Sequence, residues 1–142
     1  MRIVLDASIA LAWLIARAER TEAVLADRAF DKVSAYGADV PAFWFAEVAN
    51  TLLVLERAKK LTEQDVSSFL DDLSLLKVKQ DEVPGGERQG RLLDLSRHHG
   101  LSAYQATYLE QAMRKTSVLA TFDKKLAEAA RAAGVRVFGD PT

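Results

Sequence analysis

The first eight residues, Met1-Arg2-Ile3-Val4-Leu5-Asp6-Ala7-Ser8, constrain the fold more than any other stretch of the chain. Three apolar residues run straight into an acid, a small residue and a hydroxyl. A strand with one wet face alternates apolar and polar residues, whereas a strand covered on both faces is apolar throughout, as in a parallel sheet. Asp6 then falls at the carboxyl end of the strand, the edge at which open α/β sheets place their ligands. Ser8 reads as the N-cap of an apolar helix over residues 9–16. By themselves these residues leave two readings open: Asp6 and Ser8 shape the turn, or they carry chemistry.

The rest of the chain keeps alternating between helical and strand patterns. Apolar spacing predicts a helix over 19–35, with Ala23, Val24, Ala26, Phe30 and Val33 as its stripe, then a very short strand at 39–40. Phe43, Val48, Thr51, Leu52 and Leu55 predict a helix over 41–57, with Pro41 at or just before its first turn. Thr62 caps a helix over 63–76, and Val78, between Lys77 and Lys79, suits a short edge strand. Pro84-Gly85-Gly86 breaks the chain before a helix over 87–99, which is expected to bury Leu92, Leu93 and Leu95. Gly100 is its expected left-handed cap. His98 and His99 are adjacent, cannot share a helix face, and read as cap or surface residues rather than a metal pair. Ser102 and Gln105 have capping-box spacing at the start of a helix reaching Lys115. A strand at 118–120, a helix over 124–133 and a final strand at 135–138 complete the chain. The alternation predicts one α/β domain, residues 1–142, with a mostly parallel sheet of four or five short strands flanked by helices.

Composition excludes several classes. The chain has no cysteine, which removes disulfides and thiolate chemistry. Charges interrupt every apolar run short of a membrane span, and the first residues enter a strand without a leader pattern. A soluble, cytoplasmic protein is the expectation. The formal net charge of −1 means that a nucleic-acid partner would have to meet a local basic patch or bound cations. Trp13, Phe43, Trp44, Phe45 and Leu53 are more apolar surface than one helix face needs. Core packing and a surface for a partner both remain open for them.

Two strand ends match. Leu5-Asp6 and Ala120-Thr121-Phe122-Asp123 each place an acid just past an apolar strand and at a helix start. Alone, Asp123 reads as an N-cap. In an α/β sheet, however, both carboxylates lie on one edge. Glu47 is a third acid, set among Phe45, Ala46, Val48 and Ala49. Acids gathered at one edge repel unless a cation neutralises them, and an all-oxygen set favours Mg²⁺ or Mn²⁺ over zinc.

Four segments in this order resemble the PIN-domain family, and within it the VapC-type toxin ribonucleases of bacterial toxin–antitoxin pairs. They are Ile3 through Ser8, Val40-Pro41 through Glu47 to Asn50, Leu101 through Ala106, and Thr121 through Leu126. The resemblance implies a three-layer PIN-like fold, an acidic metal-binding cleft, cleavage of RNA of the tRNA or rRNA class, a cognate antitoxin and a homodimer. It places the metal-binding acids at Asp6, Glu47 and Asp123. Ser8, Asn50 and Thr121 fall on polar positions lining the cleft, and Lys124 and Lys125 lie next to Asp123 as contacts for RNA phosphates. Arg88, Arg91, Arg97, Arg114 and Lys115 are further basic candidates, with ordinary solvated helix charges as the alternative reading.

The chain departs from the family at Gln105, where the pattern commonly has Asp. An amide offers one neutral carbonyl oxygen on a longer stem than a carboxylate. Glu110, five residues on, points away from Gln105 on a helix and does not replace the missing charge. The expected activity is metal-assisted hydrolysis of phosphodiester bonds, with Gln105 part of the catalytic group. The alternative is a catalytically weakened domain that binds RNA or protein. A haloacid-dehalogenase-like phosphatase is disfavoured because Ser8 stands where its second Asp belongs, and a receiver-like domain because paired acids are missing from the first strand.

Overall fold

A computed structural model describes residues 1–141. Four strands, β1 (Ile3–Leu5), β2 (Ala38–Val40), β3 (Val78–Gln80) and β4 (Val118–Ala120), form one sheet in the order β3-β2-β1-β4. Every pairing is parallel. The helices are α1 (Ala7–Leu11), α2 (Arg20–Tyr36), α3 (Trp44–Arg57), α4 (Glu63–Ser74), α5 (Gln89–His99), α6 (Ala103–Arg114) and α7 (Lys124–Ala132), with a 3₁₀ turn at Gly85–Glu87. The result is the expected α/β architecture with a parallel sheet flanked by helices. β1, β2 and β4 are covered, while β3 is a half-exposed edge with Lys79 and Gln80 in solvent. None of the described helices is long and apolar enough to cross a membrane.

Register is what positions the chemistry. Leu5 pairs with Ala120, so the residues just beyond, Asp6 and Thr121, emerge side by side at the carboxyl edge. The Asp6 amide donates to the Ala120 carbonyl at 3.0 Å and extends the ladder by one bond. Before β2, Gly37 turns at φ +84°, and a Cβ there would lie 2.6 Å from the Lys77 carbonyl oxygen. Side-chain-free, left-handed backbone is needed where β2 closes on β3.

Several local expectations are corrected. The first helix starts at Ala7 because Asp6, not Ser8, is its N-cap, and it ends at Leu11 rather than residue 16. Beyond it the chain tightens into turns as the Trp13 indole donates to the Ala26 carbonyl at 2.9 Å and meets Phe30 edge-on. On α2 the buried stripe is Ala26, Ala29 and Val33, while Val24 and Phe30 are exposed: small residues let the helix approach closely. The third helix begins at Trp44, after a turn at Pro41, and buries Trp44, Val48 and Leu52 at a four-residue spacing. On α5 only Leu95 is fully buried and Leu93 is exposed, because residues 92, 93 and 95 cannot share one face at 3.6 residues per turn. The final strand reduces to a single bridge between Leu119 and Val137. Gly100 is the expected left-handed cap, at φ 67° and ψ 34°. Trp44 is buried and Trp13 and Phe43 are partly buried, whereas Phe45 and Leu53 stand in solvent.

Arg88 and Arg114 do not present themselves to phosphate. Arg88 lies 3.1 Å from Glu110 and 3.3 Å from Asp81, and Arg114 binds both of the same acids. These four charges form an internal cluster tying the chain after β3 and before α5 to α6. The spacing of surface-type charges along a helix could not separate this from a solvated face.

Candidate active site: acids at the carboxyl edge of the sheet

Asp6 is the centre of the site and is only 7% exposed. Its Oδ2 accepts hydrogen bonds from the Thr121 hydroxyl at 2.5 Å and the Ser8 hydroxyl at 3.0 Å. The Ser8 amide donates more weakly to Oδ1, at 3.4 Å. Burial pushes the Asp6 carboxyl above its ordinary pKa; the bonds from Thr121 and Ser8 oppose this, and the nearby Asp123 adds to it. Ser8 also accepts from the Phe122 amide at 3.3 Å, and Thr121 from the Asp123 amide at 2.9 Å. Both hydroxyl protons therefore serve Asp6, which makes Ser8 and Thr121 braces of that carboxylate before they are anything else.

Glu47 enters from the first turn of α3, half-buried. Burial, then the charge on Asp6, push its carboxyl above the usual range. The Tyr108 hydroxyl donates to its Oε1 at 3.2 Å and accepts from the Ala7 amide at 3.4 Å. Burial, with Asp6 and Glu47 beside it, drives the phenol far above its ordinary pKa, so Tyr108 remains a neutral donor. Tyr108 is a site residue that the sequence reading missed. The available signal was its position three residues after Gln105, one helical turn along the same face of α6.

Asp123 caps α7 through the Leu126 amide, which donates to Oδ1 at 3.1 Å. Its Oδ2 accepts from Gln105 Nε2 at 2.8 Å. Gln105 meanwhile completes the expected capping box, its Oε1 accepting from the Ser102 amide at 2.9 Å and its own amide donating to the Ser102 hydroxyl at 3.1 Å. The two roles weighed for Gln105 resolve into one geometry in which its oxygen faces the helix end and its nitrogen faces the acids.

Asn50, one turn beyond Glu47, is exposed, as are Lys124 and Lys125 at the start of α7. A second residue absent from the sequence reading is Arg17. Its guanidinium sits 4.6 Å over the Phe122 ring and pairs with Glu22 at 3.3 Å, bringing a cation to the flank of the acidic edge. Residue 17 lies in the irregular segment after α1, where no periodicity marks it.

The donor chemistry suits a hard divalent cation. Asp6 and Glu47 are neighbouring carboxylates with raised pKa values, and a bound cation would relieve both burial and repulsion. Among the described residues no three of His, Asp and Glu form a ready cage. Magnesium does not require one, since it keeps several waters and takes one or two carboxylates plus substrate phosphate.

A model of the PIN domain matches residues 3–132. Two solved structures share the fold. One is PAE2754 from Pyrobaculum aerophilum, 21% identical, with a TM-score of 0.67 over 91% of this chain and 86% of that one. The other is FitAcB from Neisseria gonorrhoeae, 18% identical, with a TM-score of 0.63 over 96% of each chain. No curated protein sequence matches the chain significantly. With the family model covering nearly all the elements that build the acidic edge, the chain belongs to the PIN domain family.

Proposed function

We propose that this protein is a Mg²⁺- or Mn²⁺-dependent endoribonuclease of the VapC toxin type, acting on RNA of the tRNA or rRNA class in the cytoplasm. The observation that carries the reading is the hydrogen-bonded gathering of Asp6, Glu47 and Asp123 at the carboxyl edge of a PIN-domain sheet, with Thr121 bonded to both Asp6 and the Asp123 amide and Tyr108 to both the Ala7 amide and Glu47. Asp6 and Glu47 supply negative charge for the ion, and Asp123 closes the acidic edge beside Gln105. A bound divalent ion supplies Lewis acidity, lowering the pKa of water and polarising the scissile phosphate. Thr121 and Ser8 hold Asp6 in place, and Tyr108 holds Glu47. Lys124 and Lys125 on α7 and Asn50 on α3, all exposed, meet the RNA. A cognate antitoxin and a homodimer belong to the same reading, and exposed Phe45, Leu53 and Val54 on α3 offer apolar surface to a partner. The direct test is incubation with single-stranded and structured RNA. Cleavage should require Mg²⁺ or Mn²⁺ and stop in EDTA; undiminished cleavage in EDTA, or none with either ion, rejects the proposal.

Tyr108→Phe removes the donor to Glu47 and the long contact from the Ala7 amide while keeping the ring. Cleavage should fall about tenfold or more, the usual scale for losing a partner that orients a ligand. Single-turnover kinetics at saturating metal check it. Lys124→Ala and Lys125→Ala should each lower the slope of log affinity against log salt by about 0.7, the value for one single-strand phosphate contact. RNA binding measured across a salt series in Ca²⁺ reads this out, and an unchanged slope removes these lysines from the interface.

The second reading, a domain that binds without cutting, draws on Gln105 presenting an N–H to Asp123. It is favoured if RNA binds with metal-insensitive affinity and remains intact.

A further inference from the structure

We infer that Gln105 is a positioning residue that withholds Asp123 from the divalent ion, so that the chain holds a single ion on the Asp6–Glu47 side of the acidic edge. The inference rests on the reading above only in taking these acids to bind a divalent cation.

Both oxygens of Asp123 are occupied by N–H donors. Leu126 donates to Oδ1 at 3.1 Å and Gln105 to Oδ2 at 2.8 Å. Amide hydrogens carry partial positive charge, so a cation approaching this carboxylate along those directions meets repulsion instead of a free lone pair. Gln105 cannot turn over to present its oxygen. Its Oε1 already accepts from the Ser102 amide, and a flip would set Nε2 against that N–H while placing Oε1 against the Asp123 carboxylate. Two hydrogen bonds would become two repulsions. The glutamine is further held through its own amide on the Ser102 hydroxyl, so the whole capping box keeps it aimed.

The other half of the site is built differently. Asp6 and Glu47 are bonded mainly by hydroxyls, those of Thr121, Ser8 and Tyr108, whose O–H bonds can rotate away from an arriving ion; the Ser8 amide reaches Asp6 Oδ1 only at 3.4 Å, longer than either N–H contact on Asp123. Tyr108 engages only the Oε1 oxygen of Glu47, leaving Oε2 available. Among the described residues no side-chain amide or basic side chain bonds to this pair, and the demand for a cation falls there. A pair of carboxylates with bound water is sufficient for one Mg²⁺-sized ion.

Mn²⁺ binding to the full chain without RNA, followed by electron paramagnetic resonance and calorimetry, tests this. The natural chain should bind a single Mn²⁺. Asp6→Asn should weaken it at least about tenfold and Asp123→Asn by less than about threefold, the contrast between a ligand and a group held off the metal. Gln105→Glu keeps an oxygen facing Ser102 but replaces the N–H donor by an oxygen, and should create a second Mn²⁺ site that Asp123→Asn then abolishes. Equal losses in Asp6→Asn and Asp123→Asn, two ions on the natural chain, or no ion at all overturn the inference. Cleavage assayed on the same samples separates the two proposals. A single bound ion without cleavage rejects the nuclease and keeps this inference, whereas cleavage with two bound ions does the reverse.

Discussion

Replacing Asp6 by asparagine should cut RNA cleavage by about three orders of magnitude, the scale of losing a dominant electrostatic element of a site. The same change should raise the thermal midpoint in EDTA. Asp6 is buried, and burial is the largest cause of its raised pKa. A folded-state pKa above the unfolded one means that the folded chain holds this proton more tightly. The ionised carboxylate therefore costs stability once pH rises above the unfolded value of about 3.9, and the full cost applies above the folded value. Asparagine keeps an acceptor for the Thr121 hydroxyl and carries no charge. Its stability advantage should be present at neutral pH and vanish in acid below about pH 4. Calorimetry across that range, paired with single-turnover cleavage, checks both halves. A lower midpoint at neutral pH would show that the bonds from Thr121 and Ser8 outweigh the cost of burying the charge. Saturating Mn²⁺ should reverse the order, stabilising the natural chain more than the variant by mass action.

Glu110→Gln should destabilise the fold by about 3–5 kcal/mol, the loss seen when one partner of a buried ion pair is removed. Glu110 is 3% exposed and meets Arg88 at 3.1 Å and Arg114 at 3.0 Å. Without its charge, Arg88 would keep only Asp81, 3.3 Å away, to balance a guanidinium buried between α6 and the segment that follows β3. Against a total stability of about 5–15 kcal/mol for a domain of this kind, that loss brings the protein near its threshold. Urea unfolding followed by circular dichroism measures it. Arg114→Met should cost less, because that side chain is 31% exposed and part of its charge is solvated. Acid should attack the same cluster. Burial pushes the Asp81 carboxyl up, but the bonds from Arg114 and Val83 and the charges of Arg114 and Arg88 outweigh it, and the net pKa is lowered. A lowered folded pKa contributes stability above the unfolded value of about 3.9 that is lost as pH falls through the folded value. The cluster should therefore hold through mild acid and fail only below the ordinary carboxylate range.

Much of the architecture was legible because its signals are local. β1 is three apolar residues without alternation, the Ser102–Gln105 capping box is read from spacing and Thr62 as a cap, and Gly100 sits at a helix end in left-handed backbone. The expectation that Glu110 faces away from Gln105 follows from helix geometry alone and agrees with its place in the internal ion cluster. The failures are non-local. The stripe on α2 was misread because Ala29 is buried by what packs on it, not by its own hydrophobicity. Arg88 and Arg114 looked like surface charges because Glu110–Arg114 reads as an ordinary pair one helical turn apart, and the contacts that bury it, Arg88 to Glu110 and Arg114 to Asp81, join residues 22 and 33 positions apart.

The sequence alone determined that the chain alternates strand and helix, that Asp6 and Asp123 end apolar strands, and that Gln105 belongs to a capping box. Such features depend on neighbours within a turn or two of chain. Only the tertiary structure decided that Tyr108 reaches Glu47, that Ser8 and Thr121 spend their protons on Asp6, and that the second end of Gln105 rests on Asp123. Those bonds join residues up to 115 positions apart. Their partners are chosen by parallel strand register and by the angle at which α6 crosses the sheet edge, quantities that no local pattern encodes.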